Sequence, residues 1–143
     1  MAEVAYQKPL PMPSELSAPF WEACRRHELV IQRCQNCEAL RFPPAILCPE
    51  CLSAAVEWTR VSGGGKIFSF VVFHRVYHPG FATDVPYTVA LIELEEGPRL
   101  VSNIVDCPPS EVACDLPVEV VFEDVTPEVT LPQFRLRPAS GKV

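Results

Sequence analysis

A chain of 143 residues and 15.9 kDa has room for one ordinary domain, or for a small module attached to one, and excludes two full enzyme domains. With 48% hydrophobic and 21% charged residues, the composition is that of a globular protein able to bury a core. Eighteen acidic against twelve basic residues give a net charge of -6, the wrong sign for wrapping a nucleic-acid backbone or adhering to an anionic membrane.

No apolar run approaches the ~18 residues of a membrane-spanning helix. The N-terminal stretch has Glu3 and four prolines by position 19, where a signal peptide would carry a basic segment and an apolar core. A cytoplasmic protein with no membrane partner is therefore expected. Seven cysteines are an odd count, and a reducing cytosol disfavours a disulfide framework. Metal binding explains them better. Cys34 and Cys37 form one CxxC pair and Cys48 and Cys51 a second, with ten residues between them, while Cys24, Cys107 and Cys114 stand alone.

In chain order, residues 1–19 hold Pro9, Pro11, Pro13 and Pro19 without apolar periodicity and read as an extended Pro-rich arm. Ser17 is placed to cap a short amphipathic helix with Pro19 in its first turn and Phe20, Ala23, Cys24 and His27 at helical spacing. Residues 29–33 are β-forming and deliver Cys34, and residues 41–47 return the chain to Cys48. Residues 20–53 thus read as a helix plus two cysteine knuckles on a small β scaffold.

From residue 54 to 143 the pattern is strands separated by turn signals, and five are counted: residues 55–61, 66–75, 87–94, 99–105 and 117–123. Residues 62–65 and 95–98 are turns, the second closing a hairpin. Residues 77–86 form a loop, 106–116 a linker, and 131–137 stand as a further edge candidate outside the five. Five strands with one long internal connection fit a Greek-key barrel of OB type better than a larger sandwich.

Tetrahedral zinc takes four soft ligands, and each CxxC turn places two thiolates on one side of the ion. Cys34, Cys37, Cys48 and Cys51 are the candidate ligands, and four protein donors make a closed, structural site. Iron is the alternative, since tetrathiolates also hold it and residues 48–51 look rubredoxin-like. Rubredoxins space their pairs more widely and place small residues beside the thiolates, whereas Glu38 and Leu52 follow the knuckles here, so zinc is favoured.

The order of features, with Phe20-Trp21-Glu22-Ala23, residues 28–34, the knuckles, Glu57-Trp58, Ser62-Gly63-Gly64-Gly65-Lys66, Pro43-Pro44, Pro86-Tyr87, Glu95-Glu96-Gly97-Pro98-Arg99 and residues 100–106, resembles the acyl-CoA-associated zinc-ribbon OB-fold family. That family was long catalogued as a domain of unknown function. The match runs from about Pro19 to Phe134 and departs where the family favours glycine, at His27, Glu38 and Cys114. The resemblance implies a non-catalytic subunit of thiolase-fold enzymes: ketoacyl-CoA thiolases, archaeal hydroxymethylglutaryl-CoA synthase, or retro-aldolases of steroid side-chain breakdown. Some relatives pair instead with MaoC-type enoyl-CoA hydratases.

His74, Arg75, Tyr77, His78 and Asp84 cluster in sequence, but a catalytic reading needs a nucleophile and an orienting group, and neither is evident. A binding face is the better use: Lys66, His74 and Arg75 toward CoA phosphates, Phe73, Tyr77, Phe81 and Tyr87 toward adenine or pantetheine. Residues 62–66 lack the helix that a phosphate loop opens. Trp21 and Trp58 read as core or interface anchors, and Cys24, Cys107 and Cys114 as small buried hydrophobes, with Arg25 and Arg26 beside Cys24 leaving a reactive thiol as the lesser reading. From Glu93 to Glu128 ten acidic residues face the single Arg99, a solvated strand face or a patch for a basic partner.

The expected protein is mainly β: a short helix and rubredoxin-like zinc ribbon followed by a five-stranded OB-fold barrel. It is expected to bind acyl-CoA, a thiolase-like partner in a hetero-oligomer, or both, with low activity alone. An OB-fold single-stranded nucleic-acid binder is the alternative, and the acidic charge argues against it.

Overall fold

The computed structural model describes residues 8–137. Residues 1–7 of the Pro-rich arm and the tail after Arg137 lie outside the described residues.

Helix α1 (Ala18–Arg25) buries Phe20, Ala23 and Cys24 on one stripe. Pro19 sits in its first turn, where a missing N–H removes no intrahelical bond. Ser17 is the N-cap residue by position, yet its hydroxyl accepts from the Ser14 N–H at 2.9 Å and makes no bond to the helix. The helix ends two residues earlier than its apolar spacing suggested. The Glu28 N–H reaches the Ala23 carbonyl and the His27 N–H the Cys24 carbonyl, the two bonds of a Schellman cap, with His27 left-handed at φ 60°. His27 therefore leaves the buried stripe and points elsewhere.

Strand β1 (Val30–Cys34) is the centre of a three-stranded antiparallel sheet, flanked by β2 (Leu40–Arg41) and β3 (Val56–Arg60). Register sets Gln32 opposite both Arg41 and Trp58, and Arg33 opposite Glu57. The Arg33 guanidinium bonds Glu57 at 2.7 Å.

The barrel is closed by β4 (Gly64–Phe73), β5 (Tyr87–Leu94), β6 (Arg99–Val105), β7 (Pro117–Asp124) and β8 (Thr130–Leu136) in the order β4-β5-β6-β8-β7, with β7 returning to β4. All pairs are antiparallel except β6 with β8, where Ile104 meets Phe134. The barrel thus has five strands as expected, but not the expected five. Residues 55–61 supply β3 to the ribbon sheet, and the edge candidate at 131–137 is the fifth barrel strand. The burial explains the exchange: β8 buries Thr130 and Phe134, whereas every residue of β3 stays half-buried or exposed.

Strand β5 alternates strictly, with Thr88, Ala90, Ile92 and Leu94 inward. They meet Ile67, Leu100, Ile104, Val118 and Phe134, and this cluster continues through Val61 to Phe20, Cys24, Leu29 and Ile31. One apolar core therefore joins ribbon and barrel, which fixes the two against each other. The glycine run is less of a turn than its composition suggests, since Gly64 and Gly65 already belong to β4. Gly63 makes the bend at φ 87°, and Gly65 lets β4 approach β5 so closely that a Cβ there would lie 2.5 Å from the Glu93 carbonyl oxygen.

Candidate functional site

Both cysteine pairs sit in the same backbone turn. In the first, the Cys34 N–H bonds the Ala39 carbonyl and the Glu38 N–H the Cys34 carbonyl; in the second, Cys48 bonds Ser53 and Leu52 bonds Cys48 in the same way. The residue after each pair is left-handed, Glu38 at φ 68° and Leu52 at φ 65°. Glu38 and His27 thus retain the conformation that glycine adopts most cheaply, and the departures from glycine there do not alter the turns. Near the third departure, the left-handed residue is Asp115 at φ 71°, next to Cys114.

The sulfurs of Cys34, Cys37, Cys48 and Cys51 all lie within 4.8 Å of one another. Cys34 to Cys51 is 3.5 Å and Cys37 to Cys48 is 3.6 Å. Metal–sulfur bonds of about 2.3 Å at tetrahedral angles put sulfurs roughly 3.8 Å apart, so the cluster has the size of such a site. Its electrostatics fit a cation as well. The N–H groups of Asn36 and Cys37 point at Cys34 Sγ at 3.3 and 3.4 Å, the Glu50 N–H points at Cys48 Sγ at 3.4 Å, and Asn36 Nδ2 donates to Cys51 Sγ at 3.3 Å. The Cys37 N–H, followed by that of Asn36, outweighs burial and brings the Cys34 thiol down to about 6. Cys37 is pushed up to about 12, because burial and three adjacent sulfurs outweigh the pull of the Ala39 N–H. A divalent cation would favour all four as thiolates.

Two polar side chains that sequence reading passed over support the second pair. Gln32 Oε1 accepts from the Ala45 N–H at 2.8 Å, and Arg41 Nη2 donates to the Ala45 carbonyl at 3.0 Å. The available signal was Gln32 itself, a polar residue in phase with Val30 and Cys34 on a β-forming segment.

The residues expected to face acyl-CoA separate into two groups. Phe73, His74, Arg75 and Tyr77 line one open groove of about 470 Å³ at the end of β4. Phe73 packs on Tyr77 at 5.8 Å and on Tyr87 at 5.2 Å, Tyr87 stacks on Phe81 at 5.0 Å, and the Arg75 guanidinium lies 5.2 Å over Tyr77. Lys8 pairs with Asp84 and covers Phe81 at 5.0 Å, so part of the arm rests on this loop. Lys66 is not with them. It lies near the opposite end of β4, seven residues or roughly 23 Å from Phe73, and pairs with Asp115 at 3.8 Å.

The three histidines do not assemble into one site. His78 Nδ1 accepts from the Gly80 N–H at 2.9 Å and caps a short 3-10 turn, His27 bonds Asp124, and His74 lines the groove. Cys24 is fully buried, and desolvation pushes its thiol up to about 12, so the flanking arginines do not activate it. Burial, then Glu111 and Asp106, raise Cys107 in the same direction. Cys114 is exposed and does not fit the expectation of a buried hydrophobe. Part of the acidic run is paired: Glu93 with Arg99, Glu95 with Arg137, Glu119 with Arg135, and Asp115 with Lys66.

Residues 21–57 match the family described as the ChsH2 rubredoxin-like zinc ribbon domain, and residues 58–123 the ChsH2 C-terminal OB-fold domain. A solved chain described as "Ltp2-ChsH2(DUF35) aldolase" superposes with a TM-score of 0.81 at 40% identity, covering 88% of this chain and 98% of that one. The chain belongs to the DUF35 family. Another member, a "DUF35 domain-containing scaffold protein" of Methanocaldococcus jannaschii, is 40% identical over 70% of this chain and 71% of its own length. A "Probable enoyl-CoA hydratase alpha subunit" of Thermomonospora curvata is 41% identical over 90% of this chain, and the DUF35 chain described here spans 40% of that relative's length. No helix among the described residues is long and apolar enough to cross a membrane.

Proposed function

We propose that this chain is a non-catalytic accessory subunit that docks on a thiolase-fold enzyme acting on acyl-CoA, and that Cys34, Cys37, Cys48 and Cys51 hold a structural zinc ion. The observation that carries this reading is the donor set: four cysteine sulfurs within 4.8 Å of one another leave no coordination position for water or substrate. The ion would supply cross-linking of the two knuckles and no reaction chemistry. The chain supplies binding surface, while nucleophile and base belong to the partner. Likeness to a chain of an aldolase whose description names two components, and to a protein named as a scaffold, supports the same reading.

Phe73, His74, Arg75, Tyr77, Phe81 and Tyr87 are proposed as the face toward acyl-CoA or the partner, with aromatic rings for adenine or pantetheine and Arg75 for phosphate. Lys66 lies near the other end of β4 and is left out of this proposed face. A cytoplasmic setting agrees with four ligand thiols kept reduced.

Co-expression with a thiolase-fold enzyme encoded beside it, followed by size exclusion and zinc analysis, tests the proposal. One zinc per chain and a co-eluting complex is the expected result. A zinc-loaded chain that elutes alone with every such enzyme would defeat the accessory reading. The likeness to the hydratase subunit favours a second reading, a MaoC-type enoyl-CoA hydratase as the partner, and the same experiment with such an enzyme decides between them.

A further inference from the structure

Phe42, directly after β2, packs on Phe20 at 5.2 Å, but the chain from there to Cys48 has little packing to hold it. Ile46 and Leu47 are 73% and 49% exposed, and Pro43 is exposed as well. Yet this segment must deliver Cys48 and Cys51 to within a small fraction of a bond length of the correct position, because a tetrahedral site tolerates only a few tenths of an ångström. Burial of side chains cannot do it. What the segment has instead is a grip on both polar atoms of one peptide residue: Gln32 Oε1 takes the Ala45 N–H at 2.8 Å, and Arg41 Nη2 reaches the Ala45 carbonyl at 3.0 Å.

The two gripping side chains are unusual in their own right. Gln32 is 2% exposed and Arg41 7%, and they stand opposite each other in the β1–β2 register. Among the described residues, the Nε and Nη1 atoms of Arg41 are buried without an acceptor. A buried guanidinium with unmet donors is expensive, and a leucine or methionine would fill the space at lower cost. The bond that offsets this cost is the reach of Nη2 to the Ala45 carbonyl, which neither leucine nor methionine could make. Gln32 also lies two residues before Cys34 on the same face of β1, so the grip ties the strand that ends in the first ligand to the loop that carries the third.

We propose that Gln32 and Arg41 are positioning residues for the metal site, a buried clamp on Ala45 that sets the second CxxC pair against the first. This rests on the metal reading given above. The clamp fixes the loop whether or not the ion is bound, so that the apo chain presents a nearly formed site and the ion dissociates slowly. Neither residue touches the sulfurs; each acts through Ala45.

The test uses the full chain loaded with zinc and, separately, with cobalt. Gln32→Leu and Arg41→Met keep side-chain volume and remove the acceptor or the donor, whereas Gln32→Glu keeps an acceptor for the Ala45 N–H. Zinc transfer to a chromophoric chelator is expected to run about tenfold faster in the first two variants, the scale on which outer residues tune metal sites, and close to wild type in Gln32→Glu. The cobalt ligand-field bands should broaden or shift in the first two and not in the third. Amide hydrogen exchange of the unaltered chain keeps the proposal testable if a variant fails to fold: Ala45 should be protected although its neighbours Ile46 and Leu47 are exposed. Wild-type release rates and cobalt spectra in both Gln32→Leu and Arg41→Met, or an unprotected Ala45, overturn the clamp while leaving the metal reading intact. An unaltered chain that binds neither metal overturns both.

Discussion

His27 Nε2 lies 3.0 Å from Asp124 Oδ1, across 97 residues of chain, and the His27 ring stacks on Phe122 at 5.2 Å. The pair fastens the end of α1 to β7. His27 stands at a left-handed cap position that would cost glycine nothing, so the contact offsets a local strain. His27→Ala keeps the strain and loses both contacts, whereas His27→Gly loses the contacts and relieves the strain. A melting temperature lowered by a few degrees is expected for alanine, with glycine intermediate. Equal losses in the two would place the effect outside the cap.

Asp124 also gives this junction a dependence on pH. The Thr130 hydroxyl first, and His27 second, hold its carboxyl below the usual carboxylate range. A group whose pKa is depressed by folding adds stability above its unfolded value, near 3.9, and loses it as pH falls through the folded value. The stability gap between the unaltered chain and Asp124→Asn should therefore be full at neutral pH and close below about pH 4. Melting curves taken from about pH 7 to about pH 2 measure it, and a gap that fails to shrink between about pH 4 and pH 2 contradicts the assignment.

Removing a ligand should separate the ribbon from the barrel in stability. Cys37→Ser is expected to lose the metal and to speed amide exchange in β1 and β2, while β5 and β6 stay protected. Cys114→Ser, outside the cluster, should change neither. Full metal content in Cys37→Ser would remove that residue from the ligand set.

The barrel core makes a sharper demand at β8. Phe134 is fully buried where β8 pairs with both β6 and β7, and Phe134→Ala should cost about 3–5 kcal/mol. Gly65→Ala, with its new methyl against the Glu93 backbone, should cost roughly 1–3 kcal/mol by overpacking. Val101→Ser on the exposed face should leave stability within about 0.5 kcal/mol. Urea titrations with unchanged slopes would read these as shifts in midpoint.

The split of the candidate acyl-CoA residues is open to direct measurement. Arg75→Ala should weaken acyl-CoA binding to the assembled complex several-fold, and Lys66→Ala should leave it unchanged. Matching losses in both would mean that the ligand spans β4 from end to end.

What the sequence determined by itself is local: the two knuckles, the β5–β6 hairpin around Gly97, the strict alternation of β5, and the acidic balance that disfavours nucleic acid. Spacing and turn chemistry write these into a few adjacent residues. Tertiary structure decided the rest. Alternation tells a strand which residues face inward but not which sheet it joins, so β3 and β8 could be assigned only once their neighbours were in place. Lys66 and Phe73 share a strand yet lie near its opposite ends, because an extended chain rises about 3.3 Å per residue. The grip of Gln32 and Arg41 on Ala45 arises from register between β1 and β2 and from the path of the loop beyond, so the polar residue at 32 is visible in the sequence but its partner is not.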